Sequence, residues 1–167
     1  MRSTTLVSIP VGVVVERRRA KSVWTEFLWR PVSVLAGKPS AEPWTALDVQ
    51  AESVLFYAGE AVIELHRTES TYYRDNLALD TPRLWVVLSP TGSDPPYELR
   101  AVTADPAEGE GLTDAGGNLV ETVPMPRDIL AIVRQFIATH HAERPFIKRQ
   151  REPTEFGRQK NGQGDET

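Results

Sequence analysis

Val7, Ile9, Val11, Val13 and Val15 fall on one face of an extended chain, with Ser8, Pro10, Gly12 and Glu16 opposite. Branched apolar residues at a period of two make a strand that buries one face and leaves the other freer. A chain that starts this way must build a sheet. Pro10 cannot donate to a ladder, so it predicts that the strand starts there or lies at an edge.

The rest of the pattern extends the sheet. Residues 22–29 read as a short helix with Ser22 as N-cap, ended before Pro31. Residues 32–35 read as a second strand and residues 37–43 as a loop. Residues 54–57 and 61–66 read as a hairpin turning through Ala58, Gly59 and Glu60. The unbroken apolar run 84–88 predicts a strand buried on both faces. Tyr97, Leu99 and Ala101 alternate with Glu98 and Arg100 as a further strand, between Pro/Gly-rich turns at 90–96 and 105–117.

The clearest helix is 127–141. Ile129, Leu130, Ile132, Val133, Phe136 and Ile137 form one stripe, with Pro126 and Asp128 suited to the N-terminal turn. The expected fold is α+β: a mainly antiparallel sheet of about six strands, covered on one face by that helix. One globular domain spans 1–150, and a disordered, basic polar tail spans 151–167. The alternation of a doubly wound nucleotide fold is missing.

With 167 residues and no cysteine, the chain has no disulfide, thiolate metal site or cysteine nucleophile. The N-terminus is too weak for a signal peptide, and no run approaches the ~18 apolar residues of a membrane span. The expected location is the cytoplasm. Net charge is −4, spread unevenly. Arg17, Arg18, Arg19, Lys21 and Arg30 outweigh Glu16 and Glu26; residues 94–121 are strongly acidic; residues 144–160 are basic again. The acidic balance weighs against nucleic-acid binding.

Catalytic signatures are missing. There is no Gly-x-Ser-x-Gly elbow, Walker loop or dinucleotide fingerprint. Residues 34–40 resemble the start of a nucleotide-binding loop, but Lys38 stands where its second glycine belongs, and Pro39 and Pro43 oppose the helix that a phosphate cradle needs. Glu64 and His66, at i and i+2, supply two metal ligands, which are not a site. Adjacent His140 and His141 diverge on the helix by about 100°. The polar cluster of Glu64, His66, Glu69, Arg67 and Arg74 depends on residues 72–76 folding back. Composition points instead to a recognition surface. Arg17, Arg18, Arg19, Trp24, Arg30, Arg67, Tyr73 and Arg74 are residue types that dominate protein interfaces, and Phe146, Lys148 and Arg149 add tail contacts. Trp29 and Trp85 are assigned to the core, Trp24 and Trp44 to more open positions.

Several short motifs recur along the chain. They are residues 10–20 with their three arginines, Trp24, Trp29-Arg30-Pro31-Val32, Tyr57-Ala58-Gly59, residues 63–69, Tyr73-Arg74-Asp75-Asn76-Leu77, residues 84–88 and residues 144–149. Together the chain resembles the bacterial domain-of-unknown-function family 3305 over roughly residues 8–150. The resemblance implies genes lying beside those of formate dehydrogenase and the molybdenum cofactor. The implied role is a non-enzymatic docking or maturation factor for a molybdenum-dependent formate dehydrogenase, with no intrinsic cofactor and no metal. The alternative is a handler of a transient molybdopterin cofactor, in molybdopterin-guanine dinucleotide biosynthesis, with Arg17, Arg18, Arg30, Arg67 and Arg74 clamping the anion.

Overall fold

The computed structural model describes residues 5–37, 39–113 and 116–140. The chain is α+β and mostly antiparallel, but its strands form two sheets rather than one. Strands β1 (Thr5–Arg19), β2 (Phe27–Ala36), β3 (Thr45–Val49) and β4 (Ser53–His66) make a four-stranded sheet in the order β2-β1-β4-β3. Strands β5 (Arg83–Pro90), β6 (Tyr97–Thr103) and β7 (Leu119–Pro124) make a three-stranded sheet in the order β6-β5-β7. Three helices complete the described fold: α1 (Ser70–Leu77), α2 (Pro106–Thr113) and α3 (Arg127–His140).

The long first strand organises the larger sheet. It pairs with β2 on one side and with β4 on the other. The expected hairpin within residues 54–66 is therefore one continuous strand. Residues 53–57 pair with Arg18 to Val14, and residues 59–66 with Val13 to Thr5. Because β1 offers a partner to both halves, they need not pair with each other. A bulge takes up the extra residue beside Gly59, whose φ of 135° suits glycine.

Pro10 lies inside β1, not at its start. Its carbonyl accepts from the Gly37 N–H, beyond the end of β2. In an antiparallel ladder the N–H and C=O of one residue point to the same side. The missing donor thus faces the place where β2 has stopped.

The helix expected at 22–29 does not form. Phe27, Trp29 and their neighbours are drawn into β2 by pairing with Arg19, Arg18 and Arg17. Ser22 still works locally, accepting the Trp24 N–H in a turn. Within the segment expected as a turn at 105–117, α2 forms instead. Asp105 Oδ1 accepts from the N–H groups of Ala107 and Glu108, and Pro106 opens the helix.

Both sheets and α3 share one core. Val11, Val13, Val15, Ile63 and Leu65 meet Leu84, Val86, Leu88, Val102 and Val123, with Ile129, Val133 and Phe136 of α3. Residues 84–88 are buried throughout, as the apolar run predicts. Trp85, on the face of β5 away from that cluster, packs against Gly109 of α2. Residues 141–167, which include His141 and the expected tail, lie outside the described residues.

Candidate functional site

Alternation along β1 divides the arginine cluster between two faces. Glu16 faces one way, with Arg18 and with Arg30 opposite it on β2. Arg18 Nη2 donates to Glu16 Oε2 at 3.0 Å, and Arg30 Nε to Glu16 Oε1 at 3.2 Å. Glu16 is only 7% exposed, so its burial is compensated by two guanidinium groups. Arg18 and Arg30 share this one carboxylate, which offsets one of their two positive charges.

Arg17 and Arg19 take the core-facing side, where burial falls off along the strand. Val15 is buried, Arg17 half-buried and Arg19 exposed. Here the β1–β2 hairpin runs past the packed core. The Arg17 guanidinium lies over the rings of Phe27, Phe56 and Trp29, its Cζ at 4.4, 5.3 and 5.8 Å from their centroids. The Arg19 guanidinium also lies over the Phe27 ring, its Cζ at 5.6 Å from the centroid. The rings continue as a row: Trp29 stacks on Phe56 at 5.9 Å and meets Trp44 and Tyr97 edge-on. Trp44, expected to be open, is half-buried because it closes this row. Trp29 packs against the core and Trp85 is buried.

At the hairpin's end stand Val23 and Trp24, 89% and 90% exposed. They share a shallow depression with Arg19, Ala20, Ser22, Thr25 and Glu26.

The remaining arginines are elsewhere. Arg67 follows His66, which pairs with Thr5 at the opposite end of β1, and Arg74 lies on α1. At about 3.3 Å per residue, the stretch from Thr5 to Arg17 spans roughly 40 Å. The five arginines considered as one clamp therefore do not converge. Arg74 instead lines an apolar groove with Leu77, Ala78, Arg134, Ile137 and Ala138.

Tyr73 is not a surface residue. It is 1% exposed, its hydroxyl accepts from the His66 N–H at 2.9 Å, and its ring meets Phe136 edge-on. Burial pushes its pKa up to about 12. The helical period of α1 turns Tyr73 inward while Tyr72 and Arg74 stay exposed. Asp105, near enough to act on Tyr73 electrostatically, is also pushed above the ordinary aspartate range, chiefly by burial. His66 Nε2 lies 3.8 Å from Glu64 Oε1. His140 packs on Phe136 at 4.6 Å, at the core edge where the helical stripe puts it. Among the described residues, no group of three or more His, Asp or Glu could hold a metal ion. None of the described helices is long and apolar enough to cross a membrane. Phe146, Lys148 and Arg149 lie outside the described residues.

Sequence reasoning missed the residues that complete the aromatic row, Phe27, Trp44 and Phe56. The signal for Phe27 was present: Phe27 and Trp29 alternate as Arg17 and Arg19 do.

The family model described as "Protein of unknown function (DUF3305)" matches residues 10–150. The chain belongs to this family. The match takes in the whole β1–β2 hairpin from Pro10, the aromatic row and all three helices. No curated protein and no solved structure matches the chain.

Proposed function

We propose that this member of the family is a non-enzymatic accessory protein of the cytoplasm that docks on a protein client through the end of its β1–β2 hairpin. The client is a molybdenum-dependent formate dehydrogenase or its maturation machinery. One observation carries the docking part: Trp24 stands almost wholly in water at a hairpin tip, beside Val23 and the arginines of β1. A folded chain gains nothing internally from an indole held that way, whereas tryptophan and arginine are the residues on which interface energy concentrates. The choice of client follows from the gene association that the family resemblance implies.

The test is affinity capture of the tagged full chain from its native host, with mass spectrometry of the co-purified proteins. A formate dehydrogenase subunit or maturation factor should be enriched, and lost with Trp24→Ala. Capture of the chain alone would sink the docking reading. A handler of molybdopterin cofactor would instead rise in melting temperature with a phosphorylated pterin, since a ligand that binds the folded state stabilises it by mass action.

A further inference from the structure

We infer that Arg17 forms the floor of a carboxylate-recognition site, into which a partner places the side chain of a single glutamate or aspartate flanked by apolar residues. The inference rests on the docking reading and names its chemistry.

Four observations carry it. The guanidinium is packed among the rings of Phe27, Phe56 and Trp29, which restrict its movement before anything binds. Its Nε is enclosed and has no hydrogen-bond partner among the described residues. Among the described residues, no carboxylate forms an ion pair with the Arg17 guanidinium. Arg17 lines a cavity of about 180 Å³ together with Arg19, Phe27 and residues 49–54. Small-molecule pockets generally measure about 300–1,000 Å³, so this one suits a side chain rather than a nucleotide or pterin.

The charge count agrees. Arg17 and Arg19 line the cavity with one carboxylate, Glu52, which pairs with Arg19 at 3.7 Å. One positive charge is left over, and it is that of Arg17. A carboxylate meets the two Nη atoms of a guanidinium through two parallel hydrogen bonds. Phe27, Val49 and Val54 supply an apolar wall for the neighbouring side chains.

The full chain, labelled with ¹⁵N, is titrated with a blocked pentapeptide holding one glutamate between two leucines, with its glutamine twin and with inorganic phosphate. The Arg17 Nε–H and Trp29 indole N–H signals should move saturably with the glutamate peptide. The response should be roughly tenfold weaker, or absent, with the other two. Arg17→Met should abolish it. Val54→Glu, on the β4 residue opposite Arg17, should also abolish it by supplying a carboxylate from within, and keeps the test open if Arg17→Met does not fold. Equal responses to the two peptides, a phosphate response matching the glutamate one, no saturable response, or a response surviving in Arg17→Met would each overturn the inference. Failure of the two readings is distinguishable. If Arg17→Met still captures the client and Trp24→Ala does not, docking stands and the carboxylate site plays no part in it. If the peptide binds at Arg17 while capture fails, the site stands and the client assignment falls.

Discussion

Gly109 of α2 lies directly against the indole of Trp85 on β5: a Cβ at that position would overlap Trp85 Cβ, Cγ and Cδ1. Two effects oppose each other in Gly109→Ala. Helix propensity favours alanine by about 1 kcal/mol. Overpacking against a buried ring costs typically 1–3 kcal/mol, and Trp85 cannot retreat because it is 7% exposed in the middle strand of its sheet. The overlap should win. Urea unfolding is expected to show Gly109→Ala less stable by up to about 2 kcal/mol.

Asn76 ties three elements together. Its Nδ2 donates to the carbonyls of Arg83 and Ala104, and its Oδ1 accepts from the Arg83 N–H. It is 1% exposed, so truncation leaves three backbone groups without their partner. Asn76→Ala should cost about 2–4 kcal/mol. Asn76→Asp should be worse at neutral pH, since a carboxylate would face two carbonyl oxygens, and should recover on acidification as it gains a proton to donate. Denaturation midpoints at pH 5 and pH 8 separate the variants.

Tyr73 supplies an alkaline signature. Its pKa is about 12 in the fold against an ordinary 10.0. The unfolded chain therefore loses this proton first. The stabilisation is complete below about pH 10 and is lost as pH rises towards 12, on the order of 2–3 kcal/mol over that span. Tyr73→Phe should be less stable at neutral pH by about 1 kcal/mol, through loss of the acceptor for His66 N–H. Its stability should also fall less steeply above pH 10 than that of the parent chain, as measured by urea midpoints at pH 9, 10 and 11.

Asp105 gives the acid counterpart. Burial raises its pKa, so the folded state holds this proton more tightly than the unfolded one. The cost of burying the charged form is present at neutral pH and is relieved as pH falls through the raised folded value towards the ordinary range. Asparagine keeps the Oδ1 cap on Ala107 and Glu108 without the charge. Asp105→Asn should therefore gain stability at pH 7 and show a flatter dependence in that acid window. An unchanged slope in calorimetry would contradict this origin.

Trp24→Ala should leave stability within about 0.5 kcal/mol of the parent chain, because the indole touches so little of the fold. A marked fall in melting temperature would show that Trp24 packs where the structure leaves it exposed, and would remove it as a docking anchor.

Much of the local structure could be read directly. The alternation at Val7–Val15, the apolar run 84–88 and the stripe from Ile129 to Ile137 each specify an element through its own period. Asp105-Pro106 followed by Glu108 was a readable helix start, obscured by Gly109 and Gly111. Residues 22–29 misled because helix-compatible composition yielded to strand pairing. The break at Gly59 misled because a positive-φ glycine serves a bulge as well as a turn.

The sequence by itself determined the first strand and its buried face, the buried run 84–88, the stripe of the C-terminal helix and the absence of cysteine chemistry, since each depends on residue type or short-range spacing. Only the tertiary structure decided where the arginines went. Adjacent side chains on β1 point to opposite faces, so Arg18 joins Arg30 on Glu16 while Arg17 enters the rings of Phe27, Phe56 and Trp29. The antiparallel register then sets Arg67 at the far end of the same strand. Tyr73 turned inward for a similar reason: the phase of a short helix against its neighbours is fixed by packing, which no single segment encodes.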